Sequence, residues 1–270
     1  MNTGGVFTKI LSLFGRRPVA LADFLELQES RMQLSNYRKV SQIAEEGAPS
    51  KLISYLLKNL EISRSQQMQD LLAIYFSGES AGYFVEFGAT DGIDLSNTYI
   101  LEKKYGWQGI LAEPARIWSS DLILNRKAHI SLKCVYSESN LSVDFLETES
   151  TKLSSMLRYA FDDQHFHERA SGKTYTVTTV SLNELLCEYE APIFIEFLSI
   201  DTEGSEFSIL EAFDFSSRTF GFISVEHNFT ENNQKIEELL RRFDYLRILP
   251  ISSEFDGWYL HRSIYEKLWG

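Results

Sequence analysis

From Gly82 onward, short apolar runs rich in aromatic and β-branched residues alternate with stretches whose apolar positions recur at helical spacing. This alternation predicts an α/β fold around a mostly parallel sheet. Strands are predicted over 83–87, 109–113, 130–135, 194–200, 222–226, 245–250 and 257–262. The last two are joined by a short polar loop and should pair antiparallel at the sheet edge. Ahead of them the periodicity is helical over Leu21 to Val40, Lys51 to Leu60 and Gln66 to Phe76, with breaks near Gly47-Ala48-Pro49 and Ile62-Ser63. In the second helix Leu52, Tyr55, Leu56 and Leu60 share one face, and Pro49 or Ser50 begins it. The pattern divides the chain into an N-terminal helical cap or oligomerisation segment, 1–78, and an α/β domain, 79–270. Between Leu141 and Tyr175 the chain turns polar and irregular, and about 147–174 reads as a lid or acceptor loop. His165 and His167 fall in it, where solvation is a plainer role than metal or substrate binding. Tyr175 to Leu182 then predicts an additional strand leading into a helix over Asn183 to Glu190.

Composition narrows the function. The 270 residues are 44% hydrophobic, enough for a large core, and carry a formal net charge of −12 without a basic run, which argues against a nucleic-acid substrate. Cys134 and Cys187 are far apart and each in an apolar setting, so they read as buried thiols of a reduced compartment. The apolar run Val6 to Phe14 is too short to span a bilayer and has neither a basic residue before Lys9 nor a small-residue cleavage site after it. We therefore expect no stable membrane insertion, a cytoplasmic protein, and a homodimer formed through the N-terminal helices.

In open α/β sheets ligands sit beyond the carboxyl ends of the strands. The first strand runs into Glu86-Phe87-Gly88-Ala89-Thr90-Asp91-Gly92. A phosphate-binding turn joins its glycines to a lysine or a helix N-terminus; carboxylates here suit a ligand bearing a cation, an amine or hydroxyls. S-adenosylmethionine has a sulfonium, an α-amino group and a ribose. On that reading Glu86, Phe87 and Gly88 face the methionine end, amides near Ala89 hold its carboxylate, Glu86 takes the ammonium or the loop itself, and Asp91 adds charge to the turn. Glu113, held by Pro114 at the end of the second strand, is placed to accept two hydrogen bonds from a ribose diol. Asn97 either caps the next helix or reaches the cofactor, and Tyr136 with Ser137 is placed to flank the adenine.

Asp201-Thr-Glu203-Gly-Ser-Glu206 follows the fourth strand, where Glu206 suits the positive end of a helix. Asp201 stands at the strand end, also within reach of the cofactor, and Glu226-His227-Asn228 follows the fifth. Transfer to a hydroxyl needs a base or a metal to lower the alcohol's pKa, and two mechanisms stay open. In one, Asp201, Glu226 and His227 hold a divalent cation. In the other no metal is present: Asp201 or Glu203 is the base and His227 positions the acceptor or takes the proton.

Three ordered blocks resemble FkbM-family methyltransferases. They are Glu86 to Gly92 with Ser96-Asn97-Thr98-Tyr99 and Gly106-Trp107-Gln108-Gly109-Ile110-Leu111-Ala112-Glu113-Pro114; Leu198 to Glu206; and Ile223 to Asn228. The resemblance runs from about Tyr83 to the end of the chain. It implies a Rossmann-like class I methyltransferase sheet ending in an antiparallel hairpin, S-adenosylmethionine as cofactor, and O-methyl transfer to a hydroxyl of a sugar or polysaccharide precursor. Sugar O-methyltransferases of related fold bind magnesium through an Asp after the fourth strand and an acidic pair after the fifth. His227 departs from that pair and favours manganese or iron. Two other readings stand beside it: a non-catalytic binding protein or scaffold of the same fold, and an NAD-dependent oxidoreductase, whose Gly-x-Gly-x-x-Gly turn is missing here.

Overall fold

The computed structural model describes residues 34–148, 154–157 and 172–270. The run Val6 to Phe14, most of the predicted helix Leu21 to Val40, much of the predicted lid, and His165 and His167 lie outside the described residues. The first described helix, α1, covers 34–45 and is followed by α2 (Ser50–Asn59), a 3-10 turn (Leu60–Ile62) and α3 (Gln69–Phe76). Then come β1 (Tyr83–Phe87), α4 (Tyr99–Tyr105), β2 (Gln108–Ala112), α5 (Ser119–Asn125), β3 (His129–Ser131), β4 (Cys134–Tyr136), β5 (Ser142–Glu147), β6 (Ser155–Met156) and β7 (Lys173–Ser181). The chain ends with α6 (Leu182–Glu188), β8 (Phe194–Ile200), α7 (Glu206–Glu211), β9 (Thr219–Glu226), α8 (Asn232–Arg241), β10 (Tyr245–Ile248), β11 (Asp256–His261) and α9 (Arg262–Trp269).

Seven strands form one sheet in the order β10-β11-β9-β8-β1-β2-β3. β3, β2, β1, β8 and β9 run parallel, while β11 is antiparallel to both β9 and β10. The fold is therefore α/β with a mostly parallel sheet. β1, predicted from its aromatic and β-branched run, lies at the centre with a parallel neighbour on each side.

Strand alternation sorts its residues between two cores. Phe84, Phe197, Phe222 and Trp258 face a layer containing α2, α3 and α4; Val85, Leu198, Ile223 and Tyr259 face α6, α7 and α8. Phe84, Phe197 and Phe222 stand opposite one another across three strands, with the last two rings stacked at 5.0 Å. Two residues further along each strand, on the same face, come Glu86, Ser199 and Ser224 in matching register. An apolar row thus gives way to a polar row at the carboxyl edge, under α3. Among the described residues no helix is long and apolar enough to cross a membrane.

Two expectations need correction here. The predicted strand 130–135 is two strands: β3 ends the main sheet, and β4 turns away to pair in parallel with β7 in a second sheet, β4-β7-β5-β6. That sheet includes β5, from a stretch that reads as polar and irregular because its buried side is limited to Phe145 and Leu146. Cys134 is buried as expected, but Cys187 is exposed. α6 buries Leu182, Leu185 and Leu186, and Cys187 turns off that face.

Candidate active site

A cleft of about 440 Å³ opens at the carboxyl ends of β1, β2, β8 and β9. Its base is formed by Gly88, Glu113, Asp201 and Glu226, each just past or at the end of a strand. Gly88 has φ +76, and a Cβ there would lie 2.1 Å from the carbonyl oxygen of Asp201. The glycine is thus required by the neighbouring strand end as well as by its own turn.

Glu86 is the predicted site residue whose role changes most. It is buried and outside the cleft lining, on the Phe84 face of β1. Its carboxylate accepts hydrogen bonds from the Asn97 amide (2.7 Å), Ser96 Oγ (3.0 Å) and Thr98 Oγ1 (2.6 Å). The alternative in which Glu86 holds the loop is the one realised. Arg126, likewise buried, completes the clamp: its guanidinium donates to Gly92 O (3.0 Å), Ser96 Oγ (3.1 Å), Thr98 Oγ1 (2.9 Å) and Glu102 (2.9 Å). Burial still pushes the Glu86 carboxyl above its usual range, opposed by Arg126 and the loop donors.

What the clamp presents to the cleft is Ser96 and Asn97. Asn97 Nδ2 donates to Ser199 Oγ at 2.9 Å, while its Oδ1 is buried without a hydrogen-bond partner. An acceptor left in that state costs about 1–3 kcal/mol and calls for a donor from a ligand. Phe87 lines the cleft, whereas Ala89 is buried in the core and Asp91 closes its own turn by accepting the amides of Ile93 (2.8 Å) and Asp94 (2.9 Å). Tyr136 and Ser137 do not line the cleft; Cys134 and Val135 stand there instead. The cause is the departure of β4 into the second sheet, which also sends Phe145 and Met156 to the same wall.

Glu113 lines the cleft and accepts the Thr90 and Ala115 amides, both at 2.8 Å. Burial raises its pKa to about 7 against those two bonds. Below the ordinary carboxylate range, folded and unfolded chains both hold this proton; above it the unfolded chain releases it first, so stability from this group falls as pH rises to about 7. Relative to wild type, Glu113→Gln should therefore gain on the order of 1–3 kcal/mol of stability between about pH 5 and pH 8. Urea unfolding at both pH values checks this, and a pH-independent difference would contradict it.

At the far end of the cleft Asp201, Glu203 and Glu226 bring carboxylate oxygens within 4.8 Å of one another. Asp201 is open to the cleft yet surrounded by protein below it, and burial is the main cause raising its pKa, with Asp256, Glu206 and Glu113 adding to it. Glu226 is raised by burial and then by Asp201 and Glu203. The carboxylates of Asp201 and Glu226 adjoin, which favours a single proton held between the two. Glu206 does more than face a helix end: its Oε1 accepts the Thr202 amide (3.0 Å), Thr202 Oγ1 (2.9 Å) and the Gly204 amide (2.9 Å), fixing the turn that carries Asp201 and Glu203.

His227 is not brought to this cluster. Glu226 continues the Phe222–Ser224 face of β9, and His227 continues the opposite one, so their side chains diverge. The imidazole is buried outside the cleft lining; Nδ1 accepts the Phe229 amide at 3.1 Å and Nε2 lies 3.4 Å from Arg247. Burial and Arg247 lower its pKa to about 4. Of the predicted set Asp201, Glu226 and His227, the structure brings the first two together, with Glu203 beside them in place of His227.

Gln69 and Asp256, which the sequence reading passed over, also line the cleft. Their omission has a physical origin: only parallel strand ends were weighed, whereas the antiparallel β11 brings its first residue to the carboxyl edge, opposite Glu226. The hairpin expected at residues 245–262 already contained that signal.

Comparison with known proteins bears on this arrangement. No curated protein matches the chain. A crystal structure of a methyltransferase FkbM from Methylobacillus flagellatus KT is similar to it with 16% sequence identity and a TM-score of 0.43, covering 83% of this chain and 59% of that one. This chain therefore spans less than two thirds of that protein's length. Residues 86–247, more than half of the chain and including Glu113, Asp201, Glu203 and Glu226, match the methyltransferase FkbM domain. On that match the chain belongs to the FkbM methyltransferase domain family.

Proposed function

We propose that this chain transfers a methyl group from S-adenosylmethionine to a hydroxyl, on a Rossmann-like sheet of the class I methyltransferase kind. The observation that carries the reading is a pair of adjoining carboxylates, Asp201 and Glu226, in one cleft with Gly88, Asn97 and Glu113. The residues fit the cofactor: Glu113 offers carboxylate oxygens for a ribose diol, and the orphan Asn97 Oδ1 offers an acceptor for an ammonium. Six acids in the lining, among them Asp94, Glu203 and Asp256, favour a positively charged donor. When bound, S-adenosylmethionine supplies an electrophilic methyl group on a sulfonium.

The chain's own residues then align the two partners and move a proton. In the deprotonated state of the pair, Asp201 or Glu226 accepts the proton of the acceptor hydroxyl as the new C–O bond forms, and the shared site holds it until water takes it away. Phe145 and Met156 give the cleft an apolar wall that limits water. A sugar or polysaccharide precursor is our reading of the acceptor, supported by the family resemblance and by the polar residues facing Glu226.

A second reading rests on the same trio. Carboxylate oxygens of Asp201, Glu203 and Glu226 within 4.8 Å match the oxygen donor set of a divalent cation. Magnesium and manganese suit three carboxylates better than iron does. One calorimetric experiment addresses both readings: S-adenosylhomocysteine is titrated into metal-stripped protein, and again after adding magnesium, manganese or iron(II). Micromolar binding without metal supports the cofactor assignment. A metal-binding heat lost in Glu203→Gln and retained in His227→Ala supports the cation. No heat from S-adenosylhomocysteine in any state would remove the transferase reading in favour of a binding protein.

A further inference from the structure

We propose that acceptor choice resides on a wall formed by Gln69 and Asp256, outside the matched domain, with Phe229 on the neighbouring turn at the cleft mouth as a platform for the apolar face of a neutral sugar ring. This rests on the hydroxyl-methylating reading above and specifies which groups select the hydroxyl.

The first support is position. Residues 86–247 carry the family match, yet Gln66, Gln69, Phe255 and Asp256 line the same cleft from both flanks of that segment. Asp256 pairs with Glu226 in the β9–β11 register, so a hydroxyl held at Glu226 brings its neighbour on the ring towards Asp256. The second is chemistry. Asp256 Oδ2 accepts Gln69 Nε2 at 2.8 Å and Ser224 Oγ at 3.1 Å, and Gln69 Oε1 accepts the Gln67 amide at 2.8 Å. The wall is held rigidly by these bonds, and a carboxylate has enough lone pairs to accept a further donor hydroxyl beside them.

The third is the way the wall is mounted. α1 straps down the loop that precedes β11: Lys39 Nζ donates to Ser252 O (2.7 Å), Glu254 (2.6 Å) and Gln67 Oε1 (3.1 Å). From the turn that follows the helix, Glu46 accepts the amides of Ile251 (2.9 Å) and Ser252 (2.7 Å) and the Ser252 hydroxyl. At the end of that loop the Phe255 carbonyl accepts the amides of His227 (2.8 Å) and Asn228 (3.1 Å). One mounting therefore sets both sides of the cleft mouth.

The turn bonded to Phe255 carries the fourth observation. Asn228 and Phe229 have φ of 45° and 56°, a left-handed conformation unfavourable for an aromatic residue, and Phe229 is 72% exposed while lining the cleft. His227 maintains it, because Nδ1 accepts the Phe229 amide. A strained backbone that holds a large ring against water marks a contact surface. An aromatic face sharing a cleft with carboxylate and amide groups suits a ring with one apolar face and hydroxyls at its edge.

The test uses the full chain, radiolabelled S-adenosylmethionine and a panel of methyl glycosides of neutral sugars, each with its deoxy analogue at the carbon next to the methylated one. Wild type should methylate at least one glycoside and reject that deoxy analogue by tenfold or more. Asp256→Asn and Gln69→Leu should raise the glycoside KM at least tenfold with kcat changed less than threefold, and should lose most of the discrimination against the deoxy analogue. Phe229→Ala should raise KM for parent and deoxy analogue alike. S-adenosylhomocysteine affinity should stay at the wild-type value in all three, which separates the effect from unfolding. Unchanged KM and unchanged discrimination in Asp256→Asn would overturn the proposal. A wild type that binds S-adenosylhomocysteine but methylates no glycoside would overturn the saccharide reading and the wall assignment with it, leaving the cofactor assignment intact.

Discussion

Asp201→Asn is expected to lower methyl transfer by about two to four orders of magnitude, the usual contribution of a positioned general base. The asparagine keeps the shape of the side chain and can donate to Glu226, so the cleft survives, and S-adenosylhomocysteine affinity should change by no more than about threefold. What disappears is the shared site for a proton, because an amide cannot accept one at these pH values. Glu226→Gln should have a comparable effect, and the double variant should be little worse than either single one, since the two carboxylates act as a unit. The pH profile adds an independent check. Burial and neighbouring acids raise both carboxyls, Asp201 to about 7, so the wild-type rate should climb as pH rises through neutrality and the pair loses its last proton. Single-turnover rates across that range, compared with the variants, decide the matter. A wild-type rate that is flat from about pH 5 to 8, or an active Asp201→Asn protein, would remove the pair from the proton transfer.

Arg126→Ala is expected to cost about 3–5 kcal/mol of stability, the largest effect of any single substitution outside the apolar core. The guanidinium is inaccessible to solvent and lies 3.9 Å from Glu86 and 2.9 Å from Glu102, which are themselves almost entirely buried. Removing it leaves Glu86 without a cation and Glu102 with Lys103 alone, at 2.9 Å, and strands Gly92 O as an acceptor. Differential scanning calorimetry should show a fall of several degrees or more in Tm. Adding Glu86→Gln to the variant should recover part of the loss, because one uncompensated charge goes with it; a double variant less stable than the sum of the singles would contradict the clamp. The loop bearing Ser96 and Asn97 is secured from both sides by this pair, so S-adenosylhomocysteine affinity should fall together with stability.

Much of this arrangement is visible in the chain itself. The repeated Phe-x-Glu, Phe-x-Ser and Phe-x-Ser-x-Glu of residues 84–86, 197–199 and 222–226 already place an apolar and then a polar side chain on one face of three strands. The clustered carboxylates Asp201 and Glu226 follow from the rule that ligands sit at strand ends. His227 did not follow it, because β9 remains extended through Glu226 and the next side chain turns to the other face. Tyr136 and Ser137 were misplaced for a different reason. The run Ile130 to Val135 cannot reveal that pairing partners change after Ser131, since a local pattern does not say which strand it pairs with. Gln69 and the role of Lys39 depend on contacts spanning 187 and 213 residues, which no local pattern encodes.

The antiparallel entry of β11 has a consequence for how such a cleft can change. A parallel strand delivers its exit to the carboxyl edge, and altering that exit disturbs the crossover helix that follows. β11 delivers its entrance instead, through a hairpin loop joined to β10. That loop can be lengthened, shortened or exchanged while the parallel strands and their turns keep their spacing. With α1 as the latch that receives it, the segment is a replaceable jaw on a constant sheet, and exchanging the two together is the shortest route to changing what the cleft admits.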